Sequence, residues 1–369
     1  MTQETRSRLL TDKANLGVSR VSIEDASDAA EGEVLLALET FALTTNNITY
    51  AAFGDAMNYW SFFPTGEQGW GHMPVWGFAT VAQSRVEGIA EGERFYGYFP
   101  MADVLRARPE RLSERGFYDG SEHRQGLPSP YNQYTRCRTD GAYVAELSDF
   151  QMLLRPLFFT SYMLADFLAD NDFFGARRLV FSSASSKTAY GTAFALADSA
   201  GEDGIERIGL TSGHHHEYVT GLGLYQKVLD YQELETLDTD LPTLYVDFSG
   251  SDALRDRIHH HFGSSLAYDC YAGSATNTEF LDAQRWPEPV PEFFFAPVQI
   301  RKRNHDWGPQ ALSDRFGAAQ RRFLAAVSDP RKGWMELRVH QGLEAAGAVI
   351  DDLYRNGGEP REGHVVRLR

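Results

Sequence analysis

Between Arg177 and Ala197 the chain reads RRLVFSSASSKTAYGTAFALA, and its chemistry is concentrated from Ser182 to Thr188. Leu179, Val180 and Phe181 read as a short buried strand and Ala189–Ala197 as an alanine-rich helix, so the residues between form a tight strand-to-helix turn of small hydroxyl side chains. Such a turn points backbone N–H groups and the positive end of a helix at whatever lies outside it, which suits an anion such as a phosphate. Turns of this kind usually use glycine, which lets the backbone approach a diphosphate closely. Here Ser183, Ser186 and Ala189 stand where glycines are expected. The alternative is an ordinary strand–turn–helix connection with an N-capping serine. A phosphate loop built on Lys187-Thr188 is excluded, because the glycines it needs are absent.

Aromatic residues form the second concentration. From Thr44 to Trp76 the chain carries Tyr50, Phe53, Tyr59, Trp60, Phe62, Phe63, Trp70 and Trp76, interleaved with Gly54, Gly66, Gly69 and Gly71. This loop-like stretch either fills a minicore or walls a pocket for an apolar or aromatic ligand. Tyr131-Asn132-Gln133-Tyr134 lines a site or anchors a loop through side-chain hydrogen bonds, the second being the simpler account. His259 to His261 read as a surface patch on a helix.

Bulk properties bound the partners. At 369 residues the chain suits two domains, and 43% hydrophobic with 23% charged residues is the composition of a soluble globular protein. A formal net charge of -16 argues against nucleic acid, since no basic stripe exists to displace counterions. Cys137 and Cys270 lie far apart in sequence, which fits neither a disulfide framework nor a cysteine-built metal site, and points to a reducing cytoplasm. The N-terminal MTQETRSRLLTDK has no signal-like apolar core, and no run is read as long enough to span a membrane.

The elements that must position these residues follow in order. EVLLALETFAL (33–43) is a buried strand, and MPVWGFATVAQSRVEGIAEGERFYGYFP alternates strands and turns in a small-barrel rhythm. Arg106–Tyr134 reads as an irregular excursion. Beyond Leu153 come a helix at Pro156–Ala169, a strand at Leu179–Phe181, a helix at Thr188–Ala200, a strand at Ile205–Thr211 and a short helix at Tyr218–Leu222. They are followed by a strand at Leu244–Phe248, a helix at Asp252–Phe262 and strands at Leu266–Tyr271 and Phe293–Ile300. A helix at Arg315–Ala326 and a final helix and strand close the chain. Strands alternating with helices mean a parallel, doubly wound sheet.

In this order the chain resembles the medium-chain dehydrogenase/reductase superfamily. The residues that carry the likeness are GEVLLALETFALTTNNITYAAFG, MPVWGFATVAQSRVEGIAEGERFYGYF, LVFSSASSKTAYGTAFALA and the helix-then-strand ending. SSASSKTAYG is similar to a divergent bacterial branch whose members are mostly of unknown function. The resemblance implies an α/β fold with a GroES-like β-barrel catalytic domain (residues 1–155 and 301–369) and a Rossmann-type doubly wound cofactor-binding domain (156–300). Where zinc-dependent members carry their ligands, this chain has Asn46 or Asn47 and Gly77-Phe78-Ala79, so it resembles the zinc-free quinone and enoyl reductases, and no metal is expected.

That resemblance implies hydride transfer from a nicotinamide. Ser183, Ala184, Ser185, Ser186 and Lys187 would face the diphosphate, and Thr160 would approach the nicotinamide. The segment IGLTSGHHH lacks an acidic residue before Glu217, so Thr211, Ser212 and His214, with Lys187 nearby, suit the 2′-phosphate of NADP; the histidines otherwise belong to a solvated loop. Tyr50 and Tyr59 are the candidate proton donors, each also explained by packing, with Asn47 a second group that polarises the same oxygen and Tyr98 in reserve. The expected site is the cleft between residues 46–63 and the Ser182–Lys187 turn. The substrate is expected to be small and hydrophobic, aromatic or acyl, and the assembly a homodimer. The rival expectation is a protein of this architecture that has lost dinucleotide binding and serves as a small-molecule binding module or cofactor-free enzyme.

Overall fold

The structure is a computed structural model that describes residues 5–199, 204–273, 282 and 285–369. Among these residues the chain divides into two compact units, Met1–Leu153 with Glu336–Arg369, and Leu154–Met335.

Unit 1 begins with the hairpin β1 (Thr5–Asp12) and β2 (Asn15–Asp25), followed by β3 (Val34–Leu43) and α1 (Thr45–Ala52). Next come β4 (Trp70–Gly71), β5 (Pro74–Ser84), β6 (Arg94–Pro100), β7 (Val104–Ala107), β8 (Pro109–Ser113), β9 (Gly116–Asp119) and β10 (Gln133–Arg136). The helix α2 (Ser148–Asp170) contains the boundary between the units. β3 is apolar without alternation because strands flank it and both its faces are covered, so nearly every residue is buried. Arg106–Tyr134, expected to be irregular, instead supplies β8, β9 and β10, paired antiparallel, to the same sheet.

α2 corrects another expectation. With the turn before it, it is long and apolar enough to cross a membrane by length and composition, although half of that apolar window is buried inside the protein. Pro156 sits within it.

Unit 2 contains β11 (Arg178–Phe181), α3 (Lys187–Ser199), β12 (Glu206–Thr211), α4 (His216–Leu222), β13 (Lys227–Asp230), β14 (Thr243–Asp247), α5 (Asp252–Phe262), β15 (Leu266–Tyr271) and β16 (Glu292–Phe293). Two helices, α6 (Ala296–Asp306) and α7 (Pro309–Ser328), complete it. The strands form one parallel sheet in the order β13-β12-β11-β14-β15-β16. The direction of winding reverses between β11 and β14, and in such sheets ligands bind beyond the carboxyl ends of the strands at that switch point.

Three sequence expectations change here. Residues 301–335, assigned to the barrel domain, lie in unit 2. The strand expected over Phe293–Ile300 is only Glu292–Phe293, because Pro297 opens a helix where its missing N–H costs nothing. β13 has no counterpart in the sequence reading, and the expected helix end at Ala200 falls outside the described residues.

Back in unit 1, β17 (Glu336–Gln341), α8 (Gly342–Asn356) and β18 (Glu362–Arg367) finish the chain. β18 inserts between β17 and β3, completing the sheet order β17-β18-β3-β5-β6-β10-β9-β8, with β7 beside β3. α8 buries Leu343, Ala346, Val349, Ile350 and Leu353, a one-sided stripe at helical spacing.

Candidate active site

The turn after β11 lies at the switch point, and side chains hold it where glycines usually would. Ser183 adopts φ +45, the left-handed region that L-residues rarely enter. Its N–H donates to the Tyr231 hydroxyl at 2.9 Å. Ala184 is wholly buried, its N–H on the Leu210 carbonyl at 3.0 Å and its own carbonyl held by the Tyr225 hydroxyl at 3.1 Å. Its expected contact with a diphosphate is therefore corrected: Ala184 fastens the turn to β12. Ser186 is the helix cap, its Oγ accepting from the Ala189 N–H at 3.2 Å and its N–H closing the turn on Ser183 O at 2.8 Å. Ser185, Lys187 and Thr188 are half-buried, and the Ser185 and Thr188 amides have no acceptor among the described residues. With the dipole of α3 behind them, these amides form the anion-accepting edge.

Beneath the turn lies a polar layer that the sequence did not disclose. Ser182 Oγ donates to Asp247 Oδ1 at 2.6 Å and accepts from the Phe248 and Ser249 amides at 2.8 and 3.1 Å. Asp247 Oδ2 meets Arg255 at 2.6 Å, Arg255 Nε donates to Asp269 at 2.9 Å, and His259 Nε2 also reaches Asp269 at 2.9 Å. His259 thus belongs to a buried network and not to a surface patch. From α2, Ser161 Oγ donates to the Thr188 carbonyl at 2.8 Å, and Gly191 permits this approach, since a Cβ there would stand 2.7 Å from Ser161 Oγ. Thr160, one residue earlier, is half-buried with its hydroxyl on the Pro156 carbonyl at 3.4 Å.

At the end of β12, Thr211 is buried in the sheet, which corrects its expected contact with a cofactor phosphate. Ser212 is half-buried with its Oγ 3.2 Å from His215 Nδ1, and His214 is exposed. The sequence reading missed Asp230, which pairs with Thr211 at the end of β13 and lies so close that a Cβ on Gly213 would stand 2.8 Å from its carboxylate. Its other oxygen accepts from the Gln232 N–H at 2.9 Å as a helix cap.

In unit 1 the aromatic stretch condenses into a cluster of phenols. Tyr50 lies on α1, Tyr59 opens a single helical turn, Tyr98 is on β6 and Tyr131 precedes β10. The Tyr59 and Tyr131 hydroxyls are 3.2 Å apart, and Trp76 Nε1 donates to the Tyr50 hydroxyl at 3.3 Å. Tyr98 packs its ring 4.8 Å from that of Tyr131, and its buried hydroxyl has no partner among the described residues. Burial pushes all four phenols above the ordinary tyrosine range, and for Tyr50 the neighbouring Tyr59 adds to the shift. They remain neutral donors at physiological pH. Asn47 is a capping residue: its Oδ1 accepts from Thr44 N–H at 2.8 Å, and its Nδ2 ties α1 to β5 through the Pro74 carbonyl at 2.8 Å. Gly54 and Gly71 lie against the Trp60 indole, where a Cβ would come within 2.0 and 2.4 Å of the ring.

Residues 41–358 match the family described as "Protein of unknown function (DUF2855)". The chain belongs to this family. No curated protein matches it in sequence. Among solved structures, CurA from Vibrio vulnificus, also determined in complex with NADPH, is similar at TM-score 0.59 and 14% identity, over 99% of this chain and 99% of that one. The yhdH oxidoreductase from Salmonella enterica, in complex with NADP, gives 0.55 and 14%, and the quinone oxidoreductase from Coxiella burnetii 0.55 and 12%, each over 99% of this chain and 100% of the other. This member of the DUF2855 family therefore has the fold of the medium-chain dehydrogenase/reductases, as the sequence motifs implied. Asn47 caps α1, and Phe78 and Ala79 are wholly buried. A separate groove of about 430 Å³ between β2 and α8, rimmed by Arg20, Glu344, Asp351 and Arg355, contains none of the residues singled out for chemistry.

Proposed function

We propose that this chain is a zinc-independent, NADP(H)-dependent reductase that delivers hydride to an activated C=C or C=O bond of a small hydrophobic, aromatic or acyl substrate. The observation that carries it is the turn at the switch point, where the Ser185 and Thr188 amides open α3 without acceptors among the described residues. Those amides, the Lys187 side chain and the Ser183 hydroxyl fit a diphosphate. Similarity in fold to proteins crystallised with NADPH and NADP supports the choice of cofactor.

When bound, the nicotinamide supplies the hydride. The protein's own part is to hold phosphate at α3 and to present neutral phenols to the substrate oxygen. Tyr50, Tyr59 and Tyr131 are protonated donors whose hydroxyls already associate, so one of them hydrogen-bonds the oxygen on which negative charge develops and yields its proton there. Ser212 and His214, beyond β12, are assigned to the 2′-phosphate, and Asp230 beside them is the feature that favours NADH instead.

The test is titration of the purified chain with NADPH and NADH side by side, followed by protein fluorescence or calorimetry. Saturable binding with NADPH preferred is expected; no binding of either at millimolar concentration removes the reductase reading and leaves a protein that kept the architecture alone. Lys187→Ala should weaken NADPH binding roughly tenfold, the worth of one charge-assisted contact.

Assembly as a homodimer belongs to the same proposal. Among the described residues β16 is an edge strand, and Phe293, Phe295 and Val298 on and beside it are 56%, 44% and 54% exposed, a concentration of apolar surface that a second copy would cover.

A further inference from the structure

We infer that Ser182 is a positioning residue for the diphosphate-binding turn, clamping the carboxyl ends of β11 and β14 together in place of a glycine-rich loop; this rests on the cofactor assignment above. One fully buried hydroxyl joins both loops that flank the switch point. It donates to Asp247 and accepts from the amides of Phe248 and Ser249, the first two residues beyond β14. Asp247 Oδ1 is the common acceptor of this region, also taking the Tyr245 hydroxyl at 3.0 Å, the Ser249 amide and hydroxyl at 2.8 Å each, and the Gly250 amide at 3.2 Å.

A buried carboxylate beneath an anion site must be neutralised or it repels the ligand. Arg255 does this. Its guanidinium bridges Asp247 and Asp269, with His259 Nε2 on the same Asp269 oxygen as Arg255 Nε, all within the interior of unit 2. The Arg255 charge also lies over the rings of Tyr271 and Trp286, at 5.4 and 5.2 Å from their centroids. The arrangement gives the turn a fixed foundation. Ser183, next in sequence, then holds its left-handed conformation without being glycine, and the Ser185 and Thr188 amides are held outward.

Ser182 touches no ligand in this account, so its removal should weaken contacts to the diphosphate and leave those to the adenosine end intact. The experiment compares wild type and Ser182→Ala by calorimetry with two probes, NADPH and adenosine 2′-monophosphate, which lacks the diphosphate. For Ser182→Ala a roughly tenfold rise in the NADPH Kd is expected, with the adenosine 2′-monophosphate Kd unchanged. If the variant binds NADPH like wild type, or loses both probes equally, the clamp is refuted. If wild type itself binds no NADPH, the cofactor assignment fails instead, and the two failures are distinct. Should Ser182→Ala not fold, Ser249→Ala, which removes one donor to the same carboxylate, should raise the NADPH Kd a few-fold with the same selectivity, and an unchanged Kd refutes the clamp equally.

Discussion

Ser186 shows how one residue type carries two readings. Its hydroxyl caps α3, the commonest reason for a serine at a helix start, while the neighbouring Ser185 and Thr188 amides are left to accept an anion. The capping reading of the turn thus belongs to the Ser186 hydroxyl, and the proposed anion site to the amides beside it. Which serine did which was illegible, because the assignment depends on Leu210, Tyr225 and Tyr231, which only the fold brings there. Asn47 carries a second role for a related reason: the spacing Thr44-x-x-Asn47 is a capping pattern written with an amide in place of glutamate or glutamine. The tyrosines carry the prediction at this scale. Tyr50→Phe keeps the ring and removes the hydroxyl that Trp76 contacts, so kcat/KM should fall roughly a hundredfold with NADPH affinity unchanged if this phenol donates the proton. Steady-state kinetics with calorimetry distinguishes this from a loss of about 1 kcal/mol of stability alone, which would mark the hydroxyl as structural.

At the scale of elements, the strongly periodic or continuous apolar segments were legible, as β3, α5, β15 and α8 show, because their patterns report burial directly. The elements that escaped were short, polar or edge-lying. β13 is only four residues long with a single buried residue, and β8 is almost entirely exposed, so neither carries an apolar signature. His72, between β4 and β5, gives an acid-stability prediction. Burial, reinforced by the charge of Arg8, lowers its imidazole to about 4 from the ordinary 6.5. The unfolded chain then binds the proton more readily than the native one, so the penalty is absent above about pH 6.5 and grows as pH falls towards 4. The loss should reach about 3 kcal/mol. Urea unfolding at pH 7 and 4.5 should show this slope in wild type and a much flatter one in His72→Gln. At the alkaline end the buried phenols work in the opposite direction. Their native ionisation lies above the unfolded value near 10, so stability should decline as pH rises past 10, and Tyr50, Tyr98 and Tyr131 should be missing from an ultraviolet titration of the native protein until it unfolds.

For the whole molecule, the alternation of strands and helices fixed the doubly wound sheet, and the ordered motifs implied its partner domain. The placement of α6 and α7 was missed because a helix carries no mark of which core it covers. The apolar edge at β16 carries the last prediction. Phe293→Ser with Val298→Asp should convert a dimer to a monomer in light scattering while leaving NADPH binding in place; an unchanged mass would place the interface elsewhere. The order of the chain also governs how it can be made. β18 lies between β17 and β3, yet it follows all of unit 2 in sequence. During synthesis on the ribosome, the N-terminal strands must therefore wait, with the β3 edge uncovered, until the Rossmann segment has emerged and the last strand arrives to close the gap. A released chain truncated after residue 335 should display a finished unit 2 and an unfinished, protease-sensitive unit 1.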